Sequence, residues 1–167
     1  EIRILSFDSF ESKPIGITIE QAIIQNDVLL DRRIREYLSY RCGFYEIYNY
    51  PWIDEKYINA VGIDKEKSLK LATPPARELA YLRSSLIPGM LESISKNLRY
   101  YDEFKLYEVR QIYKKGNYRP STDDEILPIQ ENNLTGCIVG KNAKDIFYEA
   151  KGIIENMAKY CHMENIS

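Results

Sequence analysis

Apolar side chains recur at helical spacing in three stretches of the chain, which predicts three amphipathic helices. The first helix is predicted to start at a capping box formed by Thr18 and Gln21 and to run to about Arg41. The second is predicted to begin near Ile87, and the third to cover residues 143–161. The side chains predicted to face inward are Leu30, Ile34, Tyr37 and Leu38, then Ile87, Met90, Leu91, Ile94, Leu98 and Tyr101, then Ile146, Phe147, Ala150, Ile153, Ile154, Met157 and Tyr160.

Four runs between the helices are rich in β-branched and aromatic residues or alternate between apolar and polar side chains, as strands do. The predicted strands are Phe44–Tyr50, Ser68–Thr73, Phe104–Tyr113 and Leu134–Val139. Residues 54–66 form a charged connection in which we expect a short helical turn. The polar stretch 114–131 contains Pro120 and Pro128 and suits an exposed hairpin tip or loop, which favours antiparallel pairing of the strands beside it.

The order of these elements indicates an α+β fold, with an antiparallel sheet flanked by helices, rather than a doubly wound sheet. Residues 1–17 show no helical period and are interpreted as a lead-in from a preceding domain. Residues 18–167 are predicted to form a single domain, and we expect it to be truncated at its C-terminal end. Because the chain does not begin with methionine, we expect it to be a piece of a longer polypeptide.

The charge balance limits the classes of binding partner. The 167 residues include 23 Lys and Arg and 25 Asp and Glu, which gives a net charge of -2. This balance excludes a strongly basic nucleic-acid grip over the whole surface, although it permits a local basic patch. No run approaches the length of about eighteen apolar residues that a membrane span requires, so we expect no membrane partner.

The residues that usually build metal and nucleophile sites are scarce and poorly spaced. Cys42, Cys137 and Cys161 lack metal-ligand spacing, and we expect them to be reduced core residues of a cytoplasmic protein. His162 is the only histidine and is predicted to lie at the surface. The glycines before Lys141 lack the spacing of a phosphate-binding loop. We therefore predict no metal ligands and no catalytic residues.

Three segments, in this order, carry a family resemblance. Residues 30–54 combine a charged amphipathic helix, a Gly-Phe turn and a tyrosine-rich strand. Residues 82–98 read L-R-S-S-L-I-P-G-M-L-E-S-I-S-K-N-L and lead to L-Y-E-V at residues 106–109, and residues 147–154 read F-Y-E-A-K-G-I-I. Together they resemble the β subunit of phenylalanyl-tRNA synthetase over essentially the whole chain. The matching motif residues are Leu82, Arg83, Ser84, Ser85, Pro88, Gly89, Glu108, Lys151 and Gly152.

The resemblance implies a core domain with the antiparallel fold of class II aminoacyl-tRNA synthetases. In that family the catalytic site lies in the α subunit, and the β core pairs with it in an αββα tetramer. We therefore expect the helix of residues 20–42 and the strand of residues 44–50 to form the subunit interface, through Leu30, Arg32, Ile34, Arg35, Tyr37, Leu38 and Tyr48. ATP, magnesium and phenylalanine would belong to the whole enzyme, which would bind tRNA as an assembly, and this domain would hold no cofactor.

The sequence lacks both signatures with which an active class II synthetase grips the adenylate. No arginine is followed two positions later by glutamate, and no G-x-G-x-x-R occurs. The family's Gly-Arg pair is Arg110-Gln111 here, and Pro51 interrupts the tyrosine-rich segment. These departures leave open a free-standing paralogue that acts as an interaction or regulatory module, and a small-molecule-binding or transferase activity in the old substrate cleft. Self-association of the isolated domain through an exposed apolar surface also stays open.

Overall fold

The chain folds into a three-stranded sheet, a two-stranded sheet and flanking helices. A computed structural model describes residues 2–6, 13, 14, 16, 21–117 and 127–163. The helices within these ranges are α1 (Ile2–Leu5), α2 (Asn26–Glu36), α3 (Glu55–Ala60), α4 (Ile87–Asn97) and α5 (Ala143–Tyr160). The strands are β1 (Tyr45–Glu46), β2 (Trp52–Ile53), β3 (Tyr81–Leu82), β4 (Phe104–Asn117) and β5 (Pro128–Val139). None of the described helices is long and apolar enough to cross a membrane.

Strand β4 is the centre of the larger sheet, between β1 and β5. Strands β4 and β5 pair antiparallel from Phe104 opposite Val139 to Lys114 opposite Ile129, with an irregular register between Lys114 and Asn117. Strand β1 pairs parallel with the other edge of β4, and β2 and β3 form the separate antiparallel pair. The fold is therefore α+β with a mainly antiparallel sheet, as the sequence predicts.

The main core lies between one face of this sheet and the helices α2 and α5. A π-helical turn, Tyr37–Arg41, continues α2 and places further apolar side chains in the same core. The buried residues are Ile34, Tyr37, Leu38, Phe44, Tyr107, Val109 and Cys161, with Ile153, Met157 and Tyr160 of α5 packed against them. A second, smaller core contains Ile53, Ile58, Ala80 and Tyr81.

Strand β4 is buried on both faces. Successive side chains of a strand point to opposite faces, so Leu106, Glu108 and Ile112 point away from the core that contains Tyr107 and Val109. All five side chains are buried nonetheless. A glutamate fully buried on the second face requires hydrogen-bonding partners there, and these partners define the site described below.

The predicted start of the first helix is wrong. Helix α2 begins at Asn26, and the preceding residue Gln25 makes no side-chain cap; Thr18 lies outside the described residues. Gln21 precedes the helix by several residues. The reason is a lack of burial, because Ile23 is 94% exposed and an isolated helical turn without tertiary packing is unstable. The predicted end is confirmed, since Arg41 ends the π-helical turn.

The predicted strands differ from those observed in length and number. Of the predicted strand Phe44–Tyr50, only Tyr45–Glu46 forms a strand, β1. The pairing ends because Asn49 donates to the side chain of Glu108 instead of pairing with the backbone of β4. Ser68–Thr73 forms only an isolated bridge at Lys70, since the prolines that follow lack the N–H groups needed to extend the pairing. The last strand is longer than predicted and begins at Pro128, so both ends of the stretch 114–131 belong to strands. Strands β2 and β3 and the short helix α1 were not predicted.

Two of the predicted inward stripes are partly wrong. In the second helix Ile87, Leu91, Leu98 and Tyr101 are exposed, and in the third Phe147 and Ile154 are exposed. Helix α4 instead packs through Leu86, Pro88 and Met90, because its first turn is held against Asn49. Other local predictions are confirmed: α3 and a 3-10 turn at Lys65–Lys67 lie in the connection after Asp54, α5 spans almost the predicted range, and His162 is exposed. The three cysteines are free, but only Cys161 is buried, whereas Cys42 and Cys137 are half-buried.

We predict that Leu86→Ala destabilises the protein much more than Leu91→Ala. Leu86 is 2% exposed and Leu91 is 49% exposed. The first change should lower the free energy of unfolding by about 2–5 kcal/mol because it leaves a cavity. The second should lower it by less than about 1 kcal/mol. Urea unfolding followed by circular dichroism measures both values, and equal losses would contradict the observed orientation of α4.

Candidate functional site

A buried ion pair lies at the centre of the second face of the sheet. Arg83 immediately follows β3, and Glu108 lies in the middle of β4. The Arg83 Nη1 donates to the Glu108 Oε1 at 2.9 Å, and the two residues are 4% and 0% exposed. Both belong to the motif residues that carry the family resemblance, although they are 25 positions apart in sequence. The pair fixes the end of β3 against β4.

Asn49 forms hydrogen bonds with both charged groups. Its backbone N–H donates to Glu108 Oε1 at 3.2 Å, and its Nδ2 donates to Glu108 Oε2 at 2.9 Å. Its backbone oxygen accepts from Arg83 Nη1 at 3.1 Å. Ser93 of α4 donates to Asn49 Oδ1 at 3.2 Å. The cluster of Asn49, Arg83, Ser93 and Glu108, here called the buried cluster, therefore joins the segment after β1, the end of β3, α4 and β4.

Arg83 also forms hydrogen bonds with the backbone of β4, at the edge opposite β5, where no strand pairs with Gln111 and Tyr113 among the described residues. Its Nε donates to the backbone oxygen of Gln111 at 2.9 Å, and the N–H of Tyr113 donates to the backbone oxygen of Arg83 at 2.9 Å. The N–H of Arg83 in turn donates to the oxygen of Pro51 at 2.8 Å. Three side-chain N–H groups of Arg83 thus bind groups of this chain, which satisfies a charge that burial alone would destabilise.

The motif around Pro88 begins α4 close to the buried cluster. Pro88 occupies the first turn of the helix, and Ser85 Oγ accepts a hydrogen bond from the N–H of Ile87 at 3.2 Å. A Cβ atom at Gly89 would lie 3.2 Å from the Nδ2 of Asn49. Glycine at this position therefore allows the helix to approach Asn49 closely. Leu82 lies in β3, and Ser84 is half-buried beside Arg83.

The two remaining motif residues lie elsewhere. Lys151 and Gly152 belong to α5, which packs on the opposite face of the sheet from Glu108. Lys151 is exposed and pairs with Glu155 at 3.8 Å, and a Cβ atom at Gly152 would meet nothing within 4 Å. These two residues are not part of the buried cluster.

The residues predicted for the subunit interface divide into two groups. Ile34, Tyr37 and Leu38 are buried in this chain's own core, and Leu30 is packed against it. Arg32 is exposed, and Tyr48 is 65% exposed. The buried members are covered within this chain, so the exposed side chains offer the available surface. The interface itself remains a prediction.

Arg35 and Tyr37 both bind groups of this chain. Arg35 Nε donates to Asp31 at 2.8 Å and its Nη2 donates to the backbone oxygen of Val109 at 3.2 Å, while its Nη1 contacts Glu46. Hydrogen bonding to Asp31 raises the pKa of Arg35. The hydroxyl of Tyr37 donates to the backbone oxygen of Ile153 at 3.1 Å, and burial raises its pKa to about 12. Arg35 sets the position of α2 against β4 within the chain.

A cleft of about 430 Å³ opens above the buried cluster, between α4 and the segment that follows β1. Tyr50 and Trp52 stack along it with ring centroids 4.9 Å apart and an interplanar angle of 11°. The ion pairs Asp54–Lys56 and Glu92–Lys96, at 2.9 and 2.7 Å, line its sides. Its polar side chains are therefore largely paired with one another.

Arg83, which lines this cleft, does not fit the phosphate grip of an adenylate-forming site. A phosphate grip requires an arginine whose N–H groups point to the ligand, whereas Arg83 donates to Glu108, Asn49 and Gln111. Within the described ranges, no cluster of three or more His, Cys, Asp or Glu side chains has the geometry to hold a metal ion. That the domain holds no cofactor stays a prediction.

Sequence reasoning identified Arg83, Gly89 and Glu108 as motif residues but missed that they meet, and it missed Asn49 entirely. A local signal for Glu108 was present, because it stands between Tyr107 and Val109 in a strongly strand-like run. A charged residue in such a run is buried with a partner when both faces of the strand are covered. The partner could not be chosen from spacing alone.

Comparison with known proteins identifies a family. Residues 15–167 match the family model described as "Phenylalanyl tRNA synthetase beta chain CLM domain". The phenylalanine–tRNA ligase beta subunit of Geobacillus kaustophilus is 30% identical over 158 residues, which cover 88% of this chain and 18% of that protein. The corresponding protein of Bacillus subtilis is 29% identical over 136 residues, which cover 75% of this chain and 16% of that protein. The chain thus spans less than a fifth of the length of these relatives.

Solved structures show the same fold at low sequence identity. Two structures of pyrrolysyl-tRNA synthetase from Desulfitobacterium hafniense superpose with TM-scores of 0.66 and 0.65 at 14% and 12% identity. Each match covers 84% of this chain and 48% of the other. The likeness establishes the class II synthetase-like fold.

We predict that Arg83→Met strongly destabilises the protein. The change leaves the buried Glu108 without its cation, and breaking a buried ion pair costs about 3–5 kcal/mol. The matched control is Lys114→Met, because Lys114 pairs with Glu131 at 2.6 Å on the surface of the same hairpin, and such a pair contributes less than about 1 kcal/mol. Urea unfolding measures both losses. If Arg83→Met costs no more than the control, the buried cluster does not hold the fold together.

We predict opposite effects for alanine at two helical glycines. Gly89→Ala should lower the free energy of unfolding by about 1–3 kcal/mol because Asn49 is fixed by Glu108 and Ser93 and cannot move aside. Gly152→Ala should raise it by about 0.5–1 kcal/mol, since space is open around it and alanine favours the helix. Thermal unfolding measures the stability of both variants relative to the wild type. A Gly89→Ala variant more stable than the wild type would contradict the close packing of α4 against Asn49.

Proposed function

The chain belongs to the phenylalanyl-tRNA synthetase beta chain family, and on that premise we propose that it is a non-catalytic core domain of the ligase's β subunit. Its role is to pair with the catalytic α subunit and thereby support tRNA aminoacylation. In this proposal ATP, magnesium and phenylalanine bind elsewhere in the whole cytoplasmic enzyme, and tRNA contacts the assembly. The family match supports the assignment to the β subunit, and the site supports the non-catalytic role.

The observation that carries the non-catalytic role is the internal neutralisation of Arg83 by Glu108. Arg83 is the buried arginine that lines the cleft, and three of its N–H groups are directed to this chain. A buried arginine held in this way stabilises the fold and does not leave those donors for a phosphate. The lack of an Arg-x-Glu signature in the sequence points the same way.

The surface that we propose for the α subunit is formed by exposed tyrosines on and beside β1. Tyr40, Tyr45, Tyr48 and Tyr50 all expose most of their surface, although they lie within about a dozen residues of the sequence. Exposed aromatic side chains at such density are typical of protein interfaces, where tyrosine is enriched. This surface contains Tyr48, one of the two exposed residues of the predicted interface, together with three further tyrosines.

The proposal predicts that the full-length parent protein, purified from its own cells, carries the catalytic α subunit in a one-to-one ratio. Mass spectrometry of the purified complex measures this ratio. The double change Tyr45→Ala/Tyr50→Ala should weaken the association, because it removes two aromatic contacts from the proposed surface. Tyr100→Ala is the matched control, since Tyr100 is equally exposed but lies at the end of α4.

Absence of the α subunit from the wild-type preparation would contradict the proposal. In that case the free-standing interaction or regulatory module becomes the better account of the chain. Equal association of the wild type and the double variant would leave the α subunit as partner but move the contact away from the tyrosines.

A further inference from the structure

Arg110 differs from the other arginines near the buried cluster because it stacks on an aromatic ring. It lies in β4, is half-buried, and places its guanidinium carbon 3.9 Å from the ring centroid of Tyr48. Tyr48 itself is largely exposed. Arg110 lines a groove of about 450 Å³ at the edge of β4, together with Arg35 and Arg83. Three arginines therefore line one small groove.

The charges of the other two arginines are matched within the chain. Arg35 contacts Asp31 and Glu46, and Arg83 pairs with Glu108. Arg110 has no carboxylate within 4 Å among the described residues. The groove thus contains one cation whose charge is not balanced by a direct partner in this part of the chain.

The stacking on Tyr48 holds this cation in a defined place. A guanidinium over an aromatic ring is attracted by the ring quadrupole and keeps its N–H groups free at the edge of the stack. Less side-chain entropy is then lost when an anion binds than for a freely moving arginine. Gln111 and Asn132, which lie opposite each other in β4 and β5, line the same groove.

We propose that Arg110, positioned by Tyr48, binds a carboxylate side chain of the catalytic α subunit and strengthens the complex with it. The inference rests on the proposed function, because it assigns a residue to the interface proposed there. A carboxylate fits the planar, bidentate donor pattern of the guanidinium. The position suits a protein partner because Arg110 stacks on Tyr48, which is 65% exposed and belongs to the surface proposed for the α subunit. Charge pairs at the border of an interface also raise the association rate.

The test uses the full-length parent protein and its α subunit, with the dissociation constant measured by surface plasmon resonance at several salt concentrations. Arg110→Ala should weaken binding at least tenfold, and Arg110→Lys should recover only part of the loss because lysine cannot bind in a bidentate manner. Tyr48→Phe keeps the aromatic face and should bind like the wild type, whereas Tyr48→Ala should resemble Arg110→Ala. The wild-type complex should also weaken more steeply with salt than the Arg110→Ala complex.

Arg77→Ala is the control, since Arg77 is exposed in the connection before β3. The urea midpoint of each variant, compared with that of the wild type, establishes that the variants are folded. If Arg110→Ala binds within twofold of the wild type, the role of Arg110 is overturned while the subunit pairing stands. If the wild-type protein binds no α subunit, the proposed function fails and the role of Arg110 fails with it.

Discussion

The fold depends on the burial of one ion pair with all of its polar neighbours satisfied. Arg83 follows β3 and Glu108 lies in β4, and these two strands belong to different sheets. Asn49, in the segment after β1, forms hydrogen bonds with both residues. A buried ion pair is weak evidence for net stability, since its desolvation offsets much of the attraction. It nevertheless favours one arrangement of the three segments, because separating any of them would leave a buried charged group without one or more of its hydrogen-bonding partners. This explains why β1 and β3 are short. Beyond their ends, hydrogen bonds from the side chains of Asn49 and Arg83 connect these segments to β4 in place of backbone pairing.

The same cluster explains the chemical character of the cleft above it. The groups that line its floor and sides are arranged as internal pairs: Arg83 with Glu108, Lys56 with Asp54 and Lys96 with Glu92. Polar atoms of this kind stabilise a shape and leave few groups to bind a phosphate. The hydrogen bonds that hold the two sheets together therefore lie within this chain, and the fold does not require a bound substrate to form them.

The sequence predicted the elements whose burial follows directly from local pattern. Helix α5 and strand β4 were found because one carries a long apolar stripe and the other a long strand-like run. The start of α2 was misplaced because Ile23 and Ile24, which precede Asn26, are 94% and 47% exposed and do not anchor a helical turn to the core. The inward face of α4 was misjudged because the contact of Gly89 with Asn49 sets the orientation of the helix. The family resemblance marked Arg83, Gly89 and Glu108 as related positions, and only the three-dimensional arrangement shows that they are one cluster.

Hydrogen exchange at three backbone amides tests most directly whether this cluster holds the fold together. The N–H groups of Asn49, Arg83 and Tyr113 donate to Glu108 Oε1, Pro51 O and Arg83 O, outside any regular strand ladder. If the buried cluster opens only with the whole domain, these amides exchange as slowly as those in the paired centre of β4. Exchange as fast as that of the exposed segment before α2 would show that the cluster opens locally, and the central role given to it would be wrong.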